Sequence, residues 1–243
     1  MSDGPVRLDH IAIALPRLTD APPVLVGALG GVFESASPSR GFTWACWRYE
    51  GGGRVEVLEP RGEDGFLHRF LARQPAGIHH VTFKVASLAE ACDRARGRGY
   101  EIVGYDDSRP GWAEAFLHPR QALGIVVQLA ESRHASRLER RPAWTPPADA
   151  GTPPAPVTIV GLRLRARAAE RVRVQWAEVL GGEAIEGPGP LVYRWPGSPM
   201  RIAVDVDPAG ADGPVAIEFA SPRPVRLPPD PAVSGLFTPA APV

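Results

Sequence analysis

Two histidines and two side-chain oxygen donors recur in this chain at matched intervals. His10 lies in Leu8-Asp9-His10-Ile11-Ala12-Ile13, and His80 lies in Ile78-His79-His80-Val81-Thr82-Phe83. Glu56, in Val55-Glu56-Val57-Leu58, follows His10 by 46 positions, and Gln128, in Val127-Gln128-Leu129, follows His80 by 48. Each half therefore opens with a His on an apolar strand and closes with a Glu or Gln on another. Brought to one point, two imidazoles, a carboxylate and an amide oxygen suit a divalent ion such as Zn, Co, Ni, Mn or Fe, and not a thiolate-loving one. Four such ligands on an octahedral ion leave two positions for water or a chelating substrate. An ion so held can polarise a carbonyl and stabilise an enediolate or enolate.

The elements that must position these residues repeat as well. The first half reads β-α-β-β-β: a strand over Leu8–Ala14, a helix over Asp20–Gly30, and strands over Val32–Ser35, Phe42–Tyr49 and Arg54–Leu58. Pro22 and Pro23 suit that helix's first turn, and Gly30-Gly31 its end. The second half repeats the order, with a strand over His79–Val85, an amphipathic helix over Leu88–Arg98, and strands over Tyr100–Val103, Trp112–Leu117 and Ile125–Leu129. A short helix over Gly65–Arg73 joins the halves. Arg133–Pro156 is rich in proline and reads as a semi-rigid linker.

A third unit begins after the linker. Val160-Gly161-Leu162-Arg163-Leu164 aligns with Asp9–Ile13, Ala169–Leu180 is helical, Met200–Val204 aligns with the Arg54 strand, and Gly213–Phe219 echoes Gly77–Phe83. Gly161, Ala203 and Ala216 stand where His10, Glu56 and His80 stand in the first two units. The apolar pattern persists without the donor atoms, so this copy is expected to be structural and metal-free. The expected division is 1–132, 133–156 and 157–243.

Composition narrows the function classes. The chain has 243 residues, 44% hydrophobic and 22% charged, with a formal net charge of zero, the profile of a soluble globular protein. No basic block points to nucleic acid. No apolar run is long enough to span a membrane, and no basic, apolar leader opens the chain. Cys46 and Cys92 lie far apart in sequence and suggest a reducing compartment. The expected location is the cytoplasm.

Paired β-α-β-β-β units with this His and Glu/Gln placement resemble the vicinal-oxygen-chelate superfamily, also called the glyoxalase/bleomycin-resistance/dioxygenase fold. Within it, residues 6–131 resemble the methylmalonyl-CoA epimerases. The segments that carry the resemblance are Leu8–Ala12, Val55–Pro60, Gly77–Val81, Ala115-Phe116-Leu117-His118-Pro119 and Gly124–Leu129. It implies an α+β fold of paired βαβββ modules around a metal-centred cleft, with a degenerate third module. It implies His10, Glu56, His80 and Gln128 as metal ligands, and a small-molecule substrate such as an acyl-CoA or another carbonyl compound. A homodimer is a further expectation.

The chain departs from the epimerases at the proton-transferring carboxylates. Trp44 and Gln128 occupy those positions here, and neither an indole nor an amide takes a proton near neutral pH. Gly111-Trp112-Ala113-Glu114 is the counterpart of Gly41-Phe42-Thr43-Trp44, which makes Glu114 the candidate single base. Trp44 and Trp112 are candidates to wall the substrate cleft; Trp47 is of opposite strand parity to Trp44, so at most one of those two lines it. His79, His118, His68 and His134 read as structural or exposed. The leading expectation is a metal-dependent isomerase or lyase acting beside a carbonyl or thioester. An Fe(II) extradiol-type dioxygenase and a non-catalytic, ligand-sequestering protein of the bleomycin-resistance type are the alternatives.

Overall fold

A computed structural model describes residues 6–132 and 156–240; most of the expected linker and His134 lie outside them. The described residues fall into two compact units, one of 6–10, 80–132 and 161–215, the other of 11–79, 156–160 and 216–240.

In the second unit, the end of β1 (Arg7–Ala14) pairs in parallel with β4 (Arg54–Pro60), in the register Ile11↔Val55 and Ala12↔Glu56. β2 (Val32–Ser39) and β3 (Phe42–Arg48) extend that sheet in antiparallel fashion. The sequence pattern ended β2 at Ser35. The strand runs on because β3 pairs with it as far as Ser39↔Phe42. Ala12, Ala14, Leu58 and Leu67 form a buried cluster against which Phe42, Trp44, Phe70 and Leu71 pack. The expected helix over Asp20–Gly30 is a tight turn, Leu18–Asp20, followed by π-helical turns at Pro23–Ala28. Glu59 Oε2 accepts a hydrogen bond of 2.5 Å from the Leu18 backbone N–H, tying the last strand of the module to the start of its helical segment.

The β3–β4 turn needs its glycines. The Val157 and Gly52 carbonyls accept hydrogen bonds from the Gly51 and Ile159 N–H groups, and a Cβ on Gly53 would meet the Ile159 carbonyl at 2.6 Å.

In the first unit, β5 (Gly77–Lys84) pairs in parallel with β8 (Val126–Ser132), in the register His80↔Val126 and Thr82↔Gln128. β7 (Trp112–Leu117) and β6 (Ile102–Arg109) follow in antiparallel order. The helix Leu88–Arg96 starts at Ser87, whose Oγ accepts from the Glu90 N–H, and buries Leu88, Ala91, Cys92 and Ala95. Glu131 Oε2 accepts from the Leu88 N–H at 2.8 Å, the same device as Glu59 with Leu18.

The third module is complete: β9 (Thr158–Ala166), a helix over Ala169–Arg173 that continues as π-helical turns to Val179, β10 (Glu183–Ile185), β11 (Leu191–Arg194) and β12 (Arg201–Val206). A fourth follows in shortened form: β13 (Gly213–Ala220), a turn of helix at Pro231–Ser234, and β14 (Phe237–Pro239), parallel to β13. The strand orders show the relation. The first module's strands run β2-β3-β4-β1 and the second's β5-β8-β7-β6; the third repeats the first as β10-β11-β12-β9, and β13-β14 repeats β5-β8. In sequence the fourth copy shows only as an echo at Gly213–Phe219, because the module's two middle strands have no counterpart among the described residues.

The register sets Ala203 in the place of Glu56. Arg163 pairs with Ala203 as Ala12 pairs with Glu56. Glu218 stands on β13 where Thr82 stands on β5, two residues beyond Ala216, and pairs with Thr238. Gly161 admits no side chain at all, because a Cβ there would lie 1.9 Å from the Arg201 carbonyl oxygen.

Within the first unit, Phe83 of β5 packs against Trp195 and Trp176, with ring centroids 4.8 and 6.1 Å away, and all three are fully buried. Arg94 Nε donates to the Val179 carbonyl at 2.8 Å, and Arg98 pairs with Glu178 at 2.6 Å. The third module is thus integral to this core. Trp176→Ala should cost about 3–5 kcal/mol of unfolding free energy, read as a lower midpoint in urea. Gly161→Ala should cost at least about 2 kcal/mol, because backbone must move to admit a methyl group.

Candidate metal centre

Strand geometry brings three of the four expected donors together. Ala12 faces Glu56 across the β1–β4 ladder, and His10 lies two residues before Ala12, on the same face of the strand. A ligand atom from each of His10, Glu56 and His80 lies within 4.8 Å of the others. The two imidazole centroids are 5.9 Å apart, inclined at 71°. Two ligands bonded at about 2.1 Å on opposite sides of an ion stand about 4.2 Å apart, so small side-chain movements would close this set on one ion. Two imidazoles and a carboxylate fit a borderline divalent cation.

His10 is held from behind. Asp9 Oδ2 lies 3.0 Å from His10 Nδ1, both groups buried, and Asp9 Oδ1 accepts from Arg7 Nη2 at 2.7 Å. A carboxylate only accepts, so Nδ1 carries the proton and Nε2 keeps its lone pair for a metal. Sequence reasoning missed Asp9; the signal was an acid directly before the candidate ligand on an otherwise apolar strand. In the second half His79 takes that position. It stacks near Phe66 and Phe70, at 5.4 and 5.0 Å, and burial pulls its imidazole down to about 4. His79 is therefore a neutral packing residue, as its place in the strand suggested.

Gln128 has other partners. Its Nε2 donates to Glu114 Oε2 at 2.8 Å, and its Oε1 accepts from the Thr82 hydroxyl at 2.6 Å. Thr82 is fully buried and Gln128 nearly so. Thr82 was not singled out from sequence, although it lies two residues after His80 and directly opposite Gln128.

Glu114 stands on the face of β7 that carries Trp112 and Phe116, and Phe116 pairs with Gln128. Its Oε2 also accepts from Trp112 Nε1 at 2.8 Å, while Arg109 Nη2 lies 3.7 Å from Oε1. Lys84, the only lysine in the chain, places its Nζ 3.4 Å from the Trp112 ring centroid and donates to Ser132 Oγ at 2.6 Å. Trp44 lies two residues before Cys46, which pairs with Glu56, so the two side chains share a face. Trp47 points the other way, fully buried against Phe33. His118 accepts the Arg120 N–H through Nδ1 at 3.2 Å in the turn after β7. His68 lies on the helix Phe66–Leu71.

Residues 9–116 match the family model of the Glyoxalase/Bleomycin resistance protein/Dioxygenase superfamily. The chain is 31% identical over 131 residues to an ethylmalonyl-CoA/methylmalonyl-CoA epimerase of Cereibacter sphaeroides, covering 51% of this chain and 97% of that one. It is 29% identical over 135 residues to an uncharacterized protein of Bacillus subtilis, covering 52% and 93%. It is 28% identical over 134 residues to the mitochondrial methylmalonyl-CoA epimerase of Homo sapiens, covering 52% and 74%. Among solved structures, a methylmalonyl-CoA epimerase from Mycobacterium tuberculosis matches at TM-score 0.49 and 24% identity, over 53% of this chain and 89% of that one. The likeness to these relatives spans about half of this chain. Through that half, the chain belongs to the Glyoxalase/Bleomycin resistance protein/Dioxygenase superfamily.

Proposed function

We propose that this protein is a divalent-metal-dependent isomerase or lyase acting beside a carbonyl or thioester, on a small-molecule substrate such as an acyl-CoA. The observation that carries the reading is the convergence of His10, Glu56 and His80 within 4.8 Å. The epimerase relatives support the acyl-CoA class. The site lies in the 1–132 region; the modules of 157–243 have lost its donors and are accessory. Cys46 and Cys92, both buried, suit a reducing cytoplasm. Among the described residues no helix is long and apolar enough to cross a membrane. The expectation of a homodimer stands as part of this proposal.

A bound divalent ion would supply Lewis-acid polarisation of the substrate carbonyl. The remaining work falls to side chains. Asp9 orients His10. Glu114 takes a proton from the carbon next to the carbonyl, with one carboxylate oxygen held by Trp112 and Gln128 and the other within 3.7 Å of Arg109. Trp44 and Trp112 offer apolar walls to the substrate. With an indole and an amide at the positions where the epimerases carry carboxylates, Glu114 is the one motif-placed base. One-sided proton transfer or elimination is expected instead of two-base epimerisation.

One observation favours a second reading. Gln128 is engaged by Thr82 and Glu114, so His10, Glu56 and His80 form a two-His-one-carboxylate set, the ligand type of non-haem Fe(II) oxygenases. Oxygen uptake with catechols after anaerobic Fe(II) loading would establish that reading, and its absence would exclude it.

His10→Ala or His80→Ala should remove most bound divalent metal, measured by elemental analysis after reconstitution, whereas His79→Ala should not. Asp9→Asn should weaken metal affinity by about ten- to a hundredfold. Glu114→Gln should lower turnover by about a hundredfold to ten-thousandfold and leave metal content unchanged. Methylmalonyl-CoA should be epimerised poorly or not at all by the wild type; robust epimerisation would show that the base is misplaced.

A further inference from the structure

The geometry points to Gln128 as a positioning residue that clamps Glu114 and does not complete the metal's coordination shell. The inference rests on the metal-site reading above.

Hydrogen-bond chemistry settles which end of the amide faces which partner. The Glu114 carboxylate can only accept, so the Gln128 atom 2.8 Å from its Oε2 must be the NH2 group. The amide oxygen is then the atom 2.6 Å from Thr82 Oγ1, and the hydroxyl donates to it. Turning that oxygen toward a metal would break both bonds at once. It would take the Gln128 acceptor from a fully buried hydroxyl and one of two hydrogen-bond donors from the carboxylate, a cost that buried polar groups rarely bear.

The second donor makes the clamp rigid. Trp112 Nε1 reaches the same Oε2 from its own strand, and the Lys84 ammonium lies over the Trp112 ring while bound to Ser132. Thr82, Gln128, Glu114, Trp112 and Lys84 thus form one chain of contacts across β5, β8 and β7. Its effect is to fix Oε2 and leave Oε1 as the atom that reacts. A glutamate at position 128, acceptor-only, would repel Glu114 and release it.

The test uses the full-length protein with Co2+ as the probe. Wild type, Gln128→Met and Gln128→Ala are titrated calorimetrically and by visible absorption, with His80→Ala as the control that loses a ligand. The Trp112 indole N–H, assigned by its disappearance in Trp112→Phe, is followed by 15N NMR. Both Gln128 variants should bind one Co2+ with Kd within about tenfold of wild type, the least expected even for loss of a ligand-orienting partner. Their Co2+ bands should be unchanged, while the Trp112 indole resonance shifts. Thr82→Val should shift the same resonance without altering the Co2+ bands. A weakening beyond tenfold or altered Co2+ bands in Gln128→Met would make Gln128 a ligand and overturn the inference, as would an unmoved indole resonance. If the wild type itself takes up no Co2+, the metal-site reading fails, and the indole resonance still decides whether Gln128 clamps Glu114.

Discussion

Each module pairs its first strand with its last in parallel, and the register is the same every time. In β1–β4 the residue two after His10 faces Glu56; in β5–β8 the residue two after His80 faces Gln128. The same offset sets Arg163 against Ala203, and Glu218 against Thr238. Side chains alternate along a strand, so one parallel pair puts a first-strand donor and a last-strand donor on a common face. A shift of one residue would send each donor to the opposite side. The rest of the site depends on that register. The devices that hold it in the first two modules are also paired: Glu59 binds the Leu18 N–H and Glu131 binds the Leu88 N–H.

The four copies differ in how much of the module each keeps. The third keeps the complete β-α-β-β-β order and a tryptophan-rich core, yet its His10 equivalent is a glycine pressed against the Arg201 backbone. Among the described residues, the fourth keeps its parallel pair and the short helix between. In the third, Trp176 and Trp195 are buried against Phe83 of the second module.

Much of this was legible in the sequence because apolar alternation and repeat spacing carry it. Matched spacing put His10, Glu56, His80 and Gln128 forward together, and a ligand atom of each of the first three lies within 4.8 Å of the others; the opposed directions of Trp44 and Trp47 followed from strand parity. Glu114 was singled out by matching Gly111–Glu114 to Gly41–Trp44, and it lies on the same face as Gln128, from whose Nε2 its carboxylate accepts. What escaped notice depends on contacts between side chains. Asp9 looked like an ordinary polar residue until its carboxylate was seen on His10 Nδ1. Thr82 gave no signal, because a threonine on a buried strand is unremarkable until its hydroxyl meets an amide. The length of β2 was missed because Ser37, Pro38 and Ser39 carry no strand signal, and pairing with β3 imposes it.

The central claim is that His10 and His80, with Glu56, hold one divalent ion. X-ray absorption at the metal edge of the Co2+-loaded protein tests it most directly, since multiple scattering counts imidazoles and distinguishes sulfur from nitrogen and oxygen. The account predicts two imidazoles per ion, the other scatterers being oxygen or nitrogen, and no sulfur. Failure to load one ion per chain, a single imidazole, or a sulfur neighbour from Cys46, which pairs with Glu56 across the ladder, would contradict it.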